Sequence, residues 1–129
     1  MMIVNEPSIA AHAAKIEKKT WGVEYWLVNT DLYCCKLLKI VPGYQSSIHA
    51  HAVKDETFIG LMGTTQLTIH DGKGHPYEVH AIHPGQQYRI RPETFHSFQA
   101  VNVAWIMEVS TRHSDKDVVR LQESRRLEP

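Results

Sequence analysis

The pattern His49-x-His51-x4-Glu56, with Gly43 before it and Gly63 after it, constrains this chain more than any other stretch. Residues two apart on an extended strand point to the same face, so His49 and His51 project together while Ile48 and Ala50 point away. A polar turn around Lys54 and Asp55 lets the chain return antiparallel and brings Glu56 alongside both imidazoles. Two imidazoles and a carboxylate converging in a barrel are three metal ligands in want of a fourth. His96, in GQQYRIRPETFH on a later strand, is the candidate. A lone strand histidine is more often a core or surface residue than a ligand. Here the His pair, the following Glu, the bracketing glycines and the later Pro-x-x-x-His all coincide, and a metal site explains them together.

At 129 residues with 43% apolar content, the chain fits one domain over residues 1–129 with a single core. Acidic and basic residues balance and the pI is 7.1, so no overall charge draws it to nucleic acid or an anionic membrane. No apolar run approaches the ~20 residues that span a bilayer. The start, MMIVNEPSIAAHAAKIEKK, lacks the basic segment and long apolar run of a signal peptide. Cys34 and Cys35 are adjacent, so on a strand they face opposite ways and pair poorly with each other. A reducing, cytoplasmic setting is expected.

Taken in order, residues 1–19 read as an N-terminal extension with one short helix from Glu6 to Lys19, capped by Ser8. Residues 20–110 are short strands punctuated by Gly and Pro turns, which argues for an all-β sandwich or barrel. Residues 111–129 read as a charged tail, a short helix capped at Ser114 or an extended arm. His70 and His75 flank a DGKG turn and are expected in solvent. In ETFIGLMG, one face carries Glu56, Phe58 and Met62, and the other carries Thr57, Ile59 and Leu61. A strand apolar on both faces needs cover on both, from the N-terminal helix or from a twofold mate, and a homodimer is expected.

These segments resemble the two sequence motifs of the cupin superfamily. Gly43, His49, His51, Glu56 and Gly63 fit the first, G-x5-H-x-H-x3,4-E-x6-G, without a gap. Gly85 and His96 fit the second, roughly G-x5-P-x-G-x2-H-x3-N, but Arg91 and Glu93 replace its Pro and Gly, and Ala100 its Asn. The resemblance implies a double-stranded β-helix (jelly-roll) barrel in which His49, His51, Glu56 and His96 hold one divalent transition metal ion. Zn, Mn, Fe, Ni and Co all suit such ligands.

A narrower resemblance is to the C-terminal isomerase domain of type II phosphomannose isomerases. It runs through Trp21-Gly22, Lys36, Pro42-Gly43, His51, Glu56, Gly63, His96, Glu108-Val109 and DKDVVRLQES. Most members of that family carry Gln where His49 stands. The resemblance implies a role for Arg120 near the substrate. The family's nucleotidyltransferase domain has no counterpart in these residues, and GTTQ and DGKG fit turns better than phosphate cradles, so guanylyltransferase activity is not expected.

Lys36 shares a strand face with Cys34, Leu38 and Ile40; facing inward it becomes an acid/base or substrate group, and facing outward an edge lysine. Arg89 and Arg91 share another face and either grip an anionic substrate or lie on a solvated outer surface. Gln45, Tyr44 and Tyr88 offer hydrogen bonds at a barrel mouth, and Glu108 is a conceivable base that reads rather as a solvent-facing strand residue. The expectation is a metal-dependent aldose–ketose isomerase acting on a sugar or sugar phosphate. Lys36, Arg120 and Glu56 are its candidates for proton transfer and charge stabilisation. The alternatives are a non-catalytic sugar-binding or regulatory module and an Fe(II)-dependent dioxygenase.

Overall fold

A computed structural model of the chain describes residues 6–128. Strands alternate with tight turns throughout: β1 (Lys15–Lys19), β2 (Gly22–Asn29), β3 (Cys34–Ile40), β4 (Tyr44–Gln45), β5 (Ile48–His51) and β6 (Glu56–Met62) come first. They are followed by β7 (Thr65–His70), β8 (Pro76–Ile82), β9 (Gln87–Ile90), β10 (Phe95–Ala100), β11 (Ala104–Ser110), β12 (Val118–Gln122) and β13 (Arg125–Arg126). A six-stranded sheet of order β1-β2-β3-β11-β6-β9 faces a five-stranded sheet of order β12-β5-β10-β7-β8, and β13 pairs with β4. Every strand pair is antiparallel. The result is the jelly-roll barrel that the cupin resemblance implies, and it is all-β as the strand rhythm predicts.

Period-two alternation fills the space between the sheets. Leu38 and Ile40 of β3, Phe58 of β6, Leu67 and Ile69 of β7, Phe98 of β10 and Ile106 of β11 form one buried cluster with Trp21. Trp21 meets Phe98 edge-on at 4.8 Å. This apolar floor occupies part of the interior, and polar side chains occupy the rest. Gly63 ends the hairpin of the first motif in a left-handed conformation (φ 66°), where a Cβ would sit on the Val103 carbonyl oxygen.

The N-terminal helix is confined to a 3-10 turn at Ser8–His12, with Pro7 rather than Ser8 at its cap position. Lys15–Lys19 instead pairs along β2, from Lys15 opposite Trp26 to Lys19 opposite Gly22. A helix this short is marginal alone, and the open edge of β2 offers a full ladder of backbone bonds. The tail takes the extended form after a 3-10 turn at Asp115–Asp117, with β12 laid along β5.

Behind the six-stranded sheet, Ala10, Leu37 and Trp105 form a second buried cluster, with Tyr25, Leu27, Leu61, Met62 and Met107 half-buried against it. Met62 belongs to this outer group and not to the Glu56 face. A register shift opposite Trp105 and Ile106 puts an extra residue into β6 and flips its parity. Among the described residues, no helix is long and apolar enough to cross a membrane.

Candidate metal centre

His49 and His51 lie side by side on β5, and His96 on β10 pairs directly with His49 across the ladder. One ligating nitrogen from each ring falls within 4.8 Å of the other two. Glu56, the first residue of β6, places Oε1 3.2 Å from His96 Nε2 and Oε2 3.5 Å from His51 Nε2. His51, His96 and Glu56 are all buried.

Hydrogen bonds behind the rings decide which nitrogens face inward. His96 Nδ1 donates to the Thr94 carbonyl (2.9 Å) and His49 Nδ1 to the Ser47 carbonyl (3.1 Å), which leaves each Nε2 as a bare lone pair. His51 Nδ1, Glu56 Oε2 and His96 Nε2 are buried without a hydrogen-bond partner. Each such orphan costs about 1–3 kcal/mol unless something satisfies it. His51 Nδ1 turns away to Asp117 Oδ2 at 3.9 Å, while Glu56 Oε2 and His96 Nε2 lie among the candidate ligands. A divalent cation answers the latter two with one group.

The electrostatics keep the donors ready. Burial, with the neighbouring His96 adding to it, pushes His49 well below the usual imidazole range. Burial lowers His51 to about 4 in spite of Glu56. Burial alone would raise Glu56, but the facing imidazoles and the Lys54 ammonium hold it below its ordinary value. Neutral His49 and His51 beside an ionised Glu56 are the ligating forms of these groups.

A cavity of about 450 Å³ opens beside His49 and His51, within the size range of small-molecule sites. Trp21, Phe58 and Phe98 make its floor. Its polar wall is built from pairs. Lys54 Nζ lies 2.7 Å from Glu108 Oε2 and 3.3 Å from Glu56 Oε2. Burial would lower Lys54, but Glu108 and Glu56 outweigh it and raise the ammonium above its usual range. Lys36, opposite Glu108 across β3 and β11, sits 3.9 Å from the Trp26 ring centre and 3.7 Å from Glu24. Burial raises Glu24 even against the pull of Lys36 and Lys19.

No protein-family profile matches the chain. A D-lyxose/D-mannose isomerase of Thermosediminibacter oceani is 34% identical over 111 residues; the match covers 70% of this chain and 61% of that protein. Among solved structures, oxalate decarboxylase from Bacillus subtilis superposes with a TM-score of 0.69 at 17% identity, covering 83% of this chain and 30% of that one. KdgF from Halomonas sp. superposes with a TM-score of 0.67 at 14% identity, covering 79% and 91%. Both carry the double-stranded β-helix barrel. This chain has the cupin fold.

Within the cupin barrel, the residues singled out from sequence divide into two groups. His49, His51, Glu56, Lys36 and Arg120 all line the cavity, and His96 meets it through Glu56 and His49. Arg120 reaches it from β12, opposite His49. Arg89, Arg91, Gln45 and Tyr88 do not line it. Arg89 lies outside the barrel on Asp55, because Tyr88 and Ile90 take the inward positions of β9. Arg91 is exposed, Gln45 is tied into the β4–β13 pair, and Tyr88 donates to Glu78 at 3.4 Å.

Two wall residues, Lys54 and His113, were not anticipated, and Glu108 was expected to face solvent. Lys54 stands in the expected polar turn yet is 2% exposed, because the Asp117 carboxylate accepts both the Val53 and Lys54 N–H groups and folds that loop inward. Its place two residues before Glu56 was the available signal. Glu108 is 5% exposed, and its parity with inward Ile106 was the clue. His113 follows β11 in a loop and carries no pattern at all. His70, expected in solvent, is buried on Ser97 Oγ at 2.8 Å.

Proposed function

We propose that the chain is a metal-dependent aldose–ketose isomerase whose substrate is a small sugar. The observation that carries the reading is the buried Lys54–Glu108 pair, 2.7 Å apart and touching the ligand carboxylate Glu56. The partial likeness to a D-lyxose/D-mannose isomerase supports it. Aldose–ketose interconversion moves a proton from C2 to C1 and another between the two oxygens, so it needs an acceptor and a donor beside an electrophile. A divalent ion held by His49, His51, Glu56 and His96 would supply the electrophile by polarising the sugar's carbonyl and hydroxyl.

The remaining work falls to side chains. Glu108 is the proton acceptor, and the Lys54 ammonium bound to it and to Glu56 steadies the negative charge that develops on the sugar oxygens. Lys36 and Arg120 orient hydroxyls from the wall and the mouth, and the aromatic floor packs the sugar's apolar face and excludes water. Arg89 and Arg91, the pair expected to grip an anion, lie outside the cavity, which favours an uncharged sugar over a sugar phosphate. A purely sugar-binding module has no use for a buried, ligand-linked Lys–Glu pair.

The half-covered outer cluster of Tyr25, Leu27, Leu61, Met62 and Met107 supports a homodimer through that face, and light scattering on the eluting protein measures it. Free, adjacent Cys34 and Cys35 suit a reducing cytoplasm. The test of function is proton NMR of pentoses and hexoses incubated with protein loaded with Mn, Co, Ni, Zn or Fe(II). Formation of the paired ketose or aldose is expected. Oxygen consumption with Fe(II) and no isomer from any sugar would replace this reading with the dioxygenase one.

A further inference from the structure

His113 is placed in an unusual way. Its Nδ1 lies 3.3 Å from Lys36 Nζ and 3.2 Å from Lys54 Nζ, so one imidazole nitrogen meets two buried ammonium groups. The other nitrogen, Nε2, lies 2.9 Å from Asp115 Oδ1. A carboxylate only accepts, which puts the ring proton on Nε2 and leaves the Nδ1 lone pair turned toward the lysines. A proton on Nδ1 would instead point an N–H at two cations.

Two further residues hold the ring and its backbone. Trp26 packs against it edge-on at 4.8 Å. The Asn29 side chain accepts from the His113 backbone N–H (3.1 Å) and donates to its carbonyl (3.3 Å). Nothing in the cavity requires so fixed a loop residue unless the ring itself has work to do.

We propose that His113 is a positioning residue that holds Lys36 and Lys54 together on one wall of the cavity by offering a single lone pair to both. This rests on the isomerase reading and adds to it a residue from outside the barrel strands. Two like charges this close separate unless a neutral acceptor stands between them. With His113 in place, Lys54 stays on Glu108 and Glu56 while Lys36 stays on Glu24 and Trp26, and both face the same bound molecule. The single lone pair also couples them: a sugar oxygen that takes the bond of one lysine frees His113 for the other.

The test uses the full chain with two variants, His113→Phe, which keeps a ring against Trp26 and removes the acceptor, and His113→Gln, which restores a carbonyl acceptor. The first readout is NMR of the lysine side-chain Nζ and Cε signals. Lys36 and Lys54 should both move in His113→Phe and return toward wild type in His113→Gln. The second is kinetics on the sugar that the wild type isomerises: His113→Phe should lose roughly 100-fold in kcat with KM little changed, since misplacement acts on the chemical step. His113→Gln should recover part of the loss.

Movement of one lysine signal alone, or of neither, overturns the proposal, as does an unchanged kcat in His113→Phe. If the wild type isomerises no sugar, the isomerase reading fails while the lysine signals still decide what His113 does. If His113→Phe fails to fold, the wild-type imidazole nitrogen shifts decide it: a protonated Nε2 with a bare Nδ1 at neutral pH upholds the arrangement, and the opposite tautomer or an imidazolium overturns it.

Discussion

Lys54 and Asp55 are neighbours in sequence and each makes a close ion pair, yet the two pairs belong to different parts of the molecule. Lys54 turns inward to Glu108 with both side chains nearly sealed, 2% and 7% exposed. Asp55 turns outward to Arg89, with 28% and 52% exposure. The outer pair has the better geometry on paper, a two-pronged guanidinium on a carboxylate. In water such a pair is worth about 0.2–1 kcal/mol. The inner pair has surrendered its hydration, which attraction alone barely recovers, and a fold seeking only stability does as well with apolar side chains there. The buried pair beside the Glu56 carboxylate is therefore the one to which we assign the proposed chemistry, and the exposed pair on the barrel wall is not.

The contrast is broken most severely at Lys54. Lys54→Met strands Glu108 and Glu56 as buried charges and should destabilise the protein by roughly 3–5 kcal/mol in urea denaturation. Replacing the pair together, Lys54→Met with Glu108→Leu, should recover much of that stability and none of the activity. A single variant no less stable than wild type would mean that the inner pair is as slack as the outer one.

Acid should reach the inner region next. His51 titrates at about 4 in the fold because burial disfavours its charged form, against about 6.5 in an unfolded chain. The unfolded state thus binds more protons between these values. The stability held above pH 6.5 is lost as the pH falls toward 4, by on the order of 3 kcal/mol for this group. Metal affinity should fall over the same window, since protonated imidazoles do not ligate. Thermal melts with and without a chelator across that range measure both effects.

Two smaller changes sharpen the comparison from outside. Glu93 holds φ 65° where the second cupin motif carries glycine, and its N–H donates to the His51 carbonyl. Glu93→Gly should relieve the left-handed strain and gain up to about 1 kcal/mol. Arg89→Ala should cost no more than about 1 kcal/mol in denaturation and leave KM unchanged. A large rise in KM would return Arg89 to the substrate site.

The candidate ligands were legible because the information that places them is local. His49 and His51 share a face by alternation, Glu56 follows across one turn, and Gly63 closes the hairpin where only glycine fits. His96 was legible as a histidine on a later strand, although its turn departs from the motif. The ladder pairing with His49, and not the turn residues, fixes its position. Lys54 was misplaced because a carboxylate 63 residues away, Asp117, decides which way its loop folds. His113 depends on Asn29, 84 residues distant. The helix expected through Lys19 failed for a related reason: local propensity in the N-terminal extension lost to the open edge of β2.

The most direct measurement is deuterium exchange in D2O at C2 of an aldose, and at C1 of its ketose partner. Metal-loaded wild type would be compared with Glu108→Gln at matched metal content. The account predicts deuterium incorporation by the wild type and at least a roughly 100-fold slower rate in the variant, as expected for loss of a proton acceptor. Equal exchange in both proteins would contradict it, as would a fully metal-loaded wild type that exchanges no carbon-bound hydrogen in any aldose.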